Sequence, residues 1–214
     1  MVQLLRVQNF VVSKDGFGAG RDQSFERPFG HADPQTMMSW AGATASWPNR
    51  TDPGGSRGID DYFTRDFTHN IGAEIMGRNK FSPHRGAWAD HEWKGWWGDE
   101  PPFHTPVFVL THHERPSFAL SDTTFHFVNT DPGTALAQAR QAAQGKDVRL
   151  GGGAQTIREF LDADLVDTLH VAVSPIELGG GSRLWETPDD LLDRFHRDVV
   201  PSPSGVTHHI FWRR

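Results

Sequence analysis

Residues Pro106 to Thr111, PVFVLT, form an almost wholly apolar run of strand length. It shows no polar-apolar alternation, so neither face of such a strand is meant for water. Strands of this kind belong to parallel sheets covered on both faces by helices. The rest of the chain repeats the theme. Leu4 to Val12, Ile71 to Met76, Thr124 to Val128, Asp147 to Leu150 and Val166 to Ser174 read as further strands. Helical spacing intervenes. Asp33-Pro34 caps a helix carrying Met37, Met38, Trp40 and Ala41. Ile59 to His69 sets Ile59, Tyr62, Phe63 and Phe67 on one face. Thr130-Asp131-Pro132 caps an Ala/Gln-rich helix that runs to Gln144, and Gly151-Gly152-Gly153 opens a helix through Leu161. Phe195 to Val200 and Val206 to Trp212 read as a terminal hairpin. This alternation predicts an α/β fold with three layers, α/β/α, a mostly parallel central sheet and a C-terminal antiparallel hairpin. Trp47 to Gly58 reads as a mobile loop, and Ser82 to Thr105 as an irregular segment holding Trp88, Trp93, Trp96 and Trp97. Neither has the character of a linker, so one domain over residues 1–214 is expected.

Composition removes several function classes. Lys and Arg number 21 against 27 for Asp and Glu, a net charge of -6. A general nucleic-acid binder needs a basic face to displace phosphate counterions, and an anionic membrane needs the same. No nucleic-acid or membrane partner is therefore expected. The chain has no cysteine, which excludes disulfides, thiolate catalysis and Cys-ligated metal sites. No apolar run approaches the roughly 20 residues that span a bilayer. The N-terminal residues lack the apolar core and cleavage site of a signal peptide, so a cytoplasmic location is expected.

Four places carry chemical promise. The first is the strand-Gly151-Gly152-Gly153-Ala154-Gln155-Thr156-helix passage. Glycines let a ligand approach the backbone closely, and free N–H groups at a helix start attract an anion. A pyrophosphate suits that position, although glycine runs also serve as plain strand-to-helix turns. The second is Met76-Gly77-Arg78-Asn79-Lys80, where Arg78 offers a planar fork to a phosphate and Lys80 a point charge. A solvated basic turn is the alternative. The third is Thr111-His112-His113, leaving the apolar strand where ligands of open α/β sheets collect. Adjacent histidines seldom face the same way, so no metal is expected there. The fourth is Ser13-Lys14-Asp15-Gly16, in which Asp15 is a candidate catalytic or orienting carboxylate, or simply part of an Asp-Gly turn.

In combination these segments resemble a known family. Ser13-x-Asp15-Gly16, Met76-Gly77-Arg78, the strand ending at Thr111 and Gly151-Gly152-Gly153-Ala154 occur in order. Phe160-Leu161-x-x-x-Leu165-Val166-Asp167-x-Leu169 and Pro175-x-x-Leu178-Gly179-x-Gly181 follow. The set resembles the dihydrofolate-reductase-like superfamily, and more closely the C-terminal reductase domain of the bifunctional riboflavin-biosynthesis deaminase-reductase. The resemblance implies a dihydrofolate-reductase-like fold and an NADPH-dependent reductase acting on a small molecule. The closest implied reaction is reduction of 5-amino-6-(5-phosphoribosylamino)uracil. It implies that Gly151, Gly152, Gly153, Ala154, Gln155 and Thr156 hold the cofactor pyrophosphate. Gly77, Arg78 and Asn79 would lie at the adenosine-phosphate end, with Thr111 and His112 flanking the adenosine. Val11 and Val12 would offer backbone groups to the nicotinamide carboxamide, and Asp15 and the Gly16–Gly20 loop, including Gly18, would border the ring. A homodimer is the assembly the family implies. The riboflavin enzyme commonly has a Glu just before its Gly-Gly pair, where this chain has Gly151. With no cysteine, these residues are not expected to supply the zinc ligands of a deaminase domain. The competing reading is a nucleotide-binding or scaffold protein that kept the fold and lost turnover. The four tryptophans would form either an aromatic wall over the substrate or plain packing.

Overall fold

The computed structural model describes residues 2–214 other than Asn49, Thr51 and Asp90. Two compact units emerge, one of Met1–Arg6 with Asn70–Val166, the other of Val7–His69 with Asp167–Arg214. The fold is mixed α/β, with a mostly parallel run of strands and a C-terminal antiparallel pair, as the alternation predicts.

In the first unit, strand β1 (Leu5–Ser13) begins, and its Leu5 and Arg6 pair in parallel with Val148 and Arg149 of β7 (Asp147–Leu150). From there the strand order is β7, β3 (Ile71–Gly77), β4 (Pro106–Leu110), β6 (Thr123–Val128) and β5 (Phe118–Leu120). The pairs β7–β3, β3–β4 and β4–β6 are all parallel, and only β5 at the edge is antiparallel. The apolar PVFVL strand thus sits between two parallel neighbours, with Val107, Phe108 and Val109 buried. Register sets Gly77 beside Leu110, Leu110 beside Val128, and Ile75 beside Leu150. The carboxyl ends of four neighbouring strands therefore share one edge. Helix α4 (Pro132–Ala142) starts where Asp131 accepts the amide of Thr134 and Pro132 fits the first turn. Helix α5 (Ala154–Asp162) buries Ala154, Ile157, Phe160 and Leu161, the stripe expected of a helix lying on a sheet.

The second unit holds the rest of β1 and continues in the order β1, β8 (Thr168–Ser174), β11 (Thr207–Arg213), β10 (Phe195–Pro201). Helix α1 (Pro34–Gly42) is capped by Asp33, which accepts the amides of Gln35 and Thr36. It buries Met37, Trp40 and Ala41 with Val11, Ala172 and Val206.

Two sequence expectations need correction. The Gly16–Gly20 segment is not a free loop. Phe17–Ala19 forms strand β2, paired with β9 (Ser182–Arg183), and Arg183 lies 4.4 Å from the Phe17 ring centroid. Helix α2 (Ile59–Arg65) is shorter than its pattern, and its buried positions are Asp61 and Thr64. Ile59 is 40% exposed and Tyr62 62%. Polar partners explain the reversal: Asp61 accepts the Ser46 amide at 2.8 Å, and the Thr64 hydroxyl donates to Thr44 Oγ1 at 2.9 Å. Within the 47–58 loop, Asn49 and Thr51 lie outside the described residues, while Ser56 makes a bridge to Thr44.

Candidate cofactor and active site

The first unit brings together three of the predicted segments. Gly77–Asn79, Thr111–His112 and Gly151–Thr156 all leave the carboxyl ends of the neighbouring parallel strands β3, β4 and β7. The glycine turn is locked to β3. The Gly77 amide donates to the Gly152 carbonyl at 2.7 Å, and the Gly151 amide donates to the Ile75 carbonyl at 2.8 Å. Gly152 has φ +100°, a conformation that favours glycine, and the Gly152–Gly153 peptide is cis. A β-carbon on Gly77 would overlap Thr156 Oγ1, so the turn and α5 sit against bare backbone. Gly153 is the residue before α5, and no side chain caps the helix. Among the described residues no side chain caps these first-turn amides, which thus present partial positive charge.

Arg78 starts the single-turn helix α3 (Arg78–Phe81). Its guanidinium lies 3.7 Å from the centroid of Trp88, and Nη1 donates to the Gly86 carbonyl. Nε and Nη2 are shielded and have no hydrogen-bond partner among the described residues. Burial and the nearby charge of Arg115 both lower the Arg78 pKa. A cation with unmet donors suits an anionic ligand. Thr111 is buried, its hydroxyl accepting the His113 amide, whereas His112 is exposed. Among the described residues no cluster of three His, Asp or Glu side chains is placed to hold a metal.

The tryptophans are packing. Trp93 and Trp96 donate their indole N–H groups to the carbonyls of Phe81 and Lys80, each at 2.9 Å. Trp97 packs on Phe103 and Phe125, and Trp88 on Phe81 and Phe127. The segment from Ser82 to Thr105, of which Asp90 lies outside the described residues, thereby pins α3 in place.

Beneath the glycine turn lies a charge cluster that the sequence reading did not assemble. Glu74, 1% exposed, binds Lys80 Nζ at 3.2 Å through Oε1 and Arg149 Nη1 at 3.0 Å through Oε2. Glu74 and Arg149 are register partners on β3 and β7. The signal lies in an acid inside the otherwise apolar β3 and a base between Val148 and Leu150 of β7.

In the second unit, Val11 and Val12 are buried in β1. Gly18 lies in β2, where the pairing with β9 is irregular. Asp15 accepts from Ser13 Oγ at 2.6 Å, the Leu178 amide at 3.0 Å and the Gly179 amide at 2.7 Å. Slight burial opposes its ionisation, but these donors prevail and hold its pKa below the usual carboxylate value. Asp15 is thus an ionised anchor for the Leu178–Gly181 turn. That turn needs its glycines: a β-carbon on Gly181, at φ +136°, would overlap the Ala19 carbonyl.

Solved structures share this fold at low identity. A Shewanella sp. PV-4 protein provisionally assigned to riboflavin biosynthesis aligns with TM-score 0.56 at 19% identity, covering 100% of this chain and 99% of that one. RibD of Acinetobacter baumannii aligns with TM-score 0.54 at 14% identity, over 99% of this chain and 58% of its own length. Dihydrofolate reductase of Enterococcus faecalis, complexed with NADP(H) and RAB-propyl, aligns with TM-score 0.51 at 14% identity, over 99% and 96%. No curated protein matches the sequence. The family model described as the RibD C-terminal domain matches residues 7–193, most of the 214-residue chain. The chain therefore belongs to the RibD C-terminal domain family.

Proposed function

We propose that the protein is an NADPH-dependent reductase whose substrate is a small heterocyclic or sugar-linked molecule. The reaction closest to the family is reduction of 5-amino-6-(5-phosphoribosylamino)uracil. The observation that carries the reading is the glycine turn running into an uncapped helix start, with the unmet Nε and Nη2 of Arg78 on the adjoining strand end. These residues fit a dinucleotide. The turn has no side chains to obstruct it, the amides of Ala154, Gln155 and Thr156 suit a diphosphate, and Arg78 suits a further phosphate. Asn79, Thr111 and His112 stand on the same strand edge and would contact the adenosine.

When bound, the cofactor supplies a hydride from its nicotinamide. The chain binds, orients and excludes water. For Val11, Val12, Gly18 and Asp15 the role beside the nicotinamide rests on the family resemblance alone, as does a homodimer; one working domain over 1–214 and a cytoplasmic location are part of the same proposal. Asp15, already committed to three donors, is suited to orient its turn rather than to release a proton.

Titrating the protein with NADPH and then adding the ribosylaminouracil tests the reading. Saturable binding followed by loss of the nicotinamide absorbance band is expected. Binding without oxidation, across this and related heterocycles, would favour a protein that kept the fold without turnover. Absence of NADPH binding would overturn the proposal.

A further inference from the structure

Residues 20–31 of the second unit leave β2 as a strap that returns to the start of α1. The feet of the strap are tied to each other. The Gly20 amide donates to the Phe29 carbonyl at 2.9 Å, and the His31 amide donates to the Arg21 carbonyl at 3.0 Å. Two side chains then tie the strap to the Leu178–Gly181 turn. Arg21 Nη2 donates to the Gly179 carbonyl at 3.0 Å, and His31 Nε2 lies 3.0 Å from the Leu178 carbonyl. The amides of the same two turn residues are held by Asp15, which anchors the turn to the end of β1.

The His31 ring is engaged on both sides. Its other nitrogen, Nδ1, lies 2.9 Å from the Arg21 amide. A backbone amide can only donate, so Nδ1 accepts and carries no proton. The one proton of the neutral ring therefore sits on Nε2, which donates to the Leu178 carbonyl. The imidazolium has an N–H on both nitrogens, and its Nδ1–H would face the Arg21 N–H. The ring has no room to slide toward Gly20, where even a β-carbon would come within 2.7 Å of Nδ1. His31 is exposed, so protons reach it from solvent. The conflict is relieved when the ring swings out, and both of its hydrogen bonds are then lost.

We propose that His31 is a pH-operated latch: its neutral ring fastens the 20–31 strap to the Leu178–Gly181 turn, and its protonation releases the strap. The latch is closed above the histidine range and opens as pH falls through it. The charged groups on the elements that meet here are Arg21, Asp22, Glu26 and Arg27 of the strap, Asp33 at the start of α1, Asp15, and the Lys14–Glu177 pair beside the turn. Among the described residues none of their side chains is hydrogen-bonded to His31. Asp33 is committed to the Gln35 and Thr36 amides and Glu26 to Ser24, so no carboxylate is bonded to the imidazolium to hold it in place. Asp15 stays ionised across the same range, because its donors hold its pKa below the usual carboxylate value. The turn thus keeps its anchor while the strap moves. Phe29 packs with Ile176 and Leu178 against the core around α1, which confines the motion to residues 21–28 and the His31 ring.

The test follows backbone amide exchange of the full chain by NMR at about pH 8 and about pH 5.5, on either side of the ordinary histidine value. Each rate is divided by that of an unstructured peptide at the same pH. The Arg21 and His31 amides should lose protection about tenfold at the lower pH, the scale of one hydrogen bond, while the β8 amides should not. Long-range nitrogen-15 spectra at the higher pH should show His31 protonated on Nε2 alone. His31→Asn keeps an acceptor oxygen near the place of Nδ1 but does not titrate, and should hold Arg21 protected at both pH values. His31→Leu removes the acceptor and should leave Arg21 unprotected at both. Arg21 protection that does not change with pH in the unmodified chain, or that still falls with pH in His31→Leu, would overturn the latch. A loss shared by the β8 amides would also overturn it, assigning the response to the buried His170 and His208 rings instead.

Discussion

Thr156 Oγ1 fills the space where a β-carbon on residue 77 would stand, while the Gly77 amide donates to the Gly152 carbonyl at 2.7 Å. The end of β3 and the start of α5 are thus interlocked with nothing to spare. Gly77→Ala is expected to cost about 1–3 kcal/mol through overpacking. Thr156→Ala in the same chain should return most of that loss. Urea unfolding of the single and double variants checks it, and additive losses would show that the two positions do not meet.

Arg78 bears on cofactor choice. If the guanidinium turns from Trp88 and Gly86 to take the extra phosphate of NADPH, Arg78→Ala should weaken NADPH roughly tenfold to hundredfold, the range for hydrogen bonds to charged groups. NADH affinity should change little. Calorimetric titration with both cofactors decides the point, equal losses removing the role.

The buried histidines of the second unit predict a pH response. Asp60 Oδ1 accepts from His208 Nε2 at 2.8 Å, His208 Nδ1 accepts from His170 Nε2 at 2.9 Å, and His170 Nδ1 accepts the Asn9 amide at 3.2 Å. Phe63 stacks on both rings. His170 Nδ1 also lies 2.9 Å from Asn9 Oδ1, so each ring nitrogen has a partner within the pair. Burial first, then the neighbouring His208, pushes the His170 pKa well below its ordinary value. For His208, burial lowers the pKa against the opposing pull of Asp60. A depressed histidine pKa means that the unfolded chain binds more protons than the folded one. The stability is present above the unfolded value of about 6.5 and is lost as pH falls below it. Thermal unfolding between neutral and mildly acidic pH should show this loss, and His170→Leu/His208→Leu should flatten it. An unchanged slope in the double variant would refute the assignment.

Glu74 carries the charge cluster energetically. Glu74→Gln removes the carboxylate that Lys80 and Arg149 share and should destabilise the fold by about 3–5 kcal/mol. Replacing the trio together, as Glu74→Leu, Lys80→Met and Arg149→Leu, should recover much of that stability. A triple variant no more stable than Glu74→Gln would show that the cluster holds the fold for other reasons.

Much of this was legible in the residues. Asp33-Pro34 and Asp131-Pro132 mark their helix starts because capping is local, and the PVFVL run announces a strand buried on both faces. The strand-turn-helix at Gly151–Gly153 was equally plain. What escaped depends on partners distant in the chain. The pattern Ile59, Tyr62, Phe67 pointed inward until Ser46 and Thr44 supplied partners for Asp61 and Thr64. Strands β2, β5 and β9 are too short to show a period, and β2 exists only because β9 returns beside it. Lys80 was visible as a cation in a basic turn. Its place over Gly151 depends on Glu74 reaching out from the strand behind it, which spacing along the chain does not reveal.

The most direct test is a crystal structure of the chain soaked with NADPH. The account predicts density for two linked phosphates within hydrogen-bond reach of the Ala154, Gln155 and Thr156 amides, with a third phosphate on Arg78. Phosphates bound elsewhere, or a saturated crystal with that corner vacant, would contradict it.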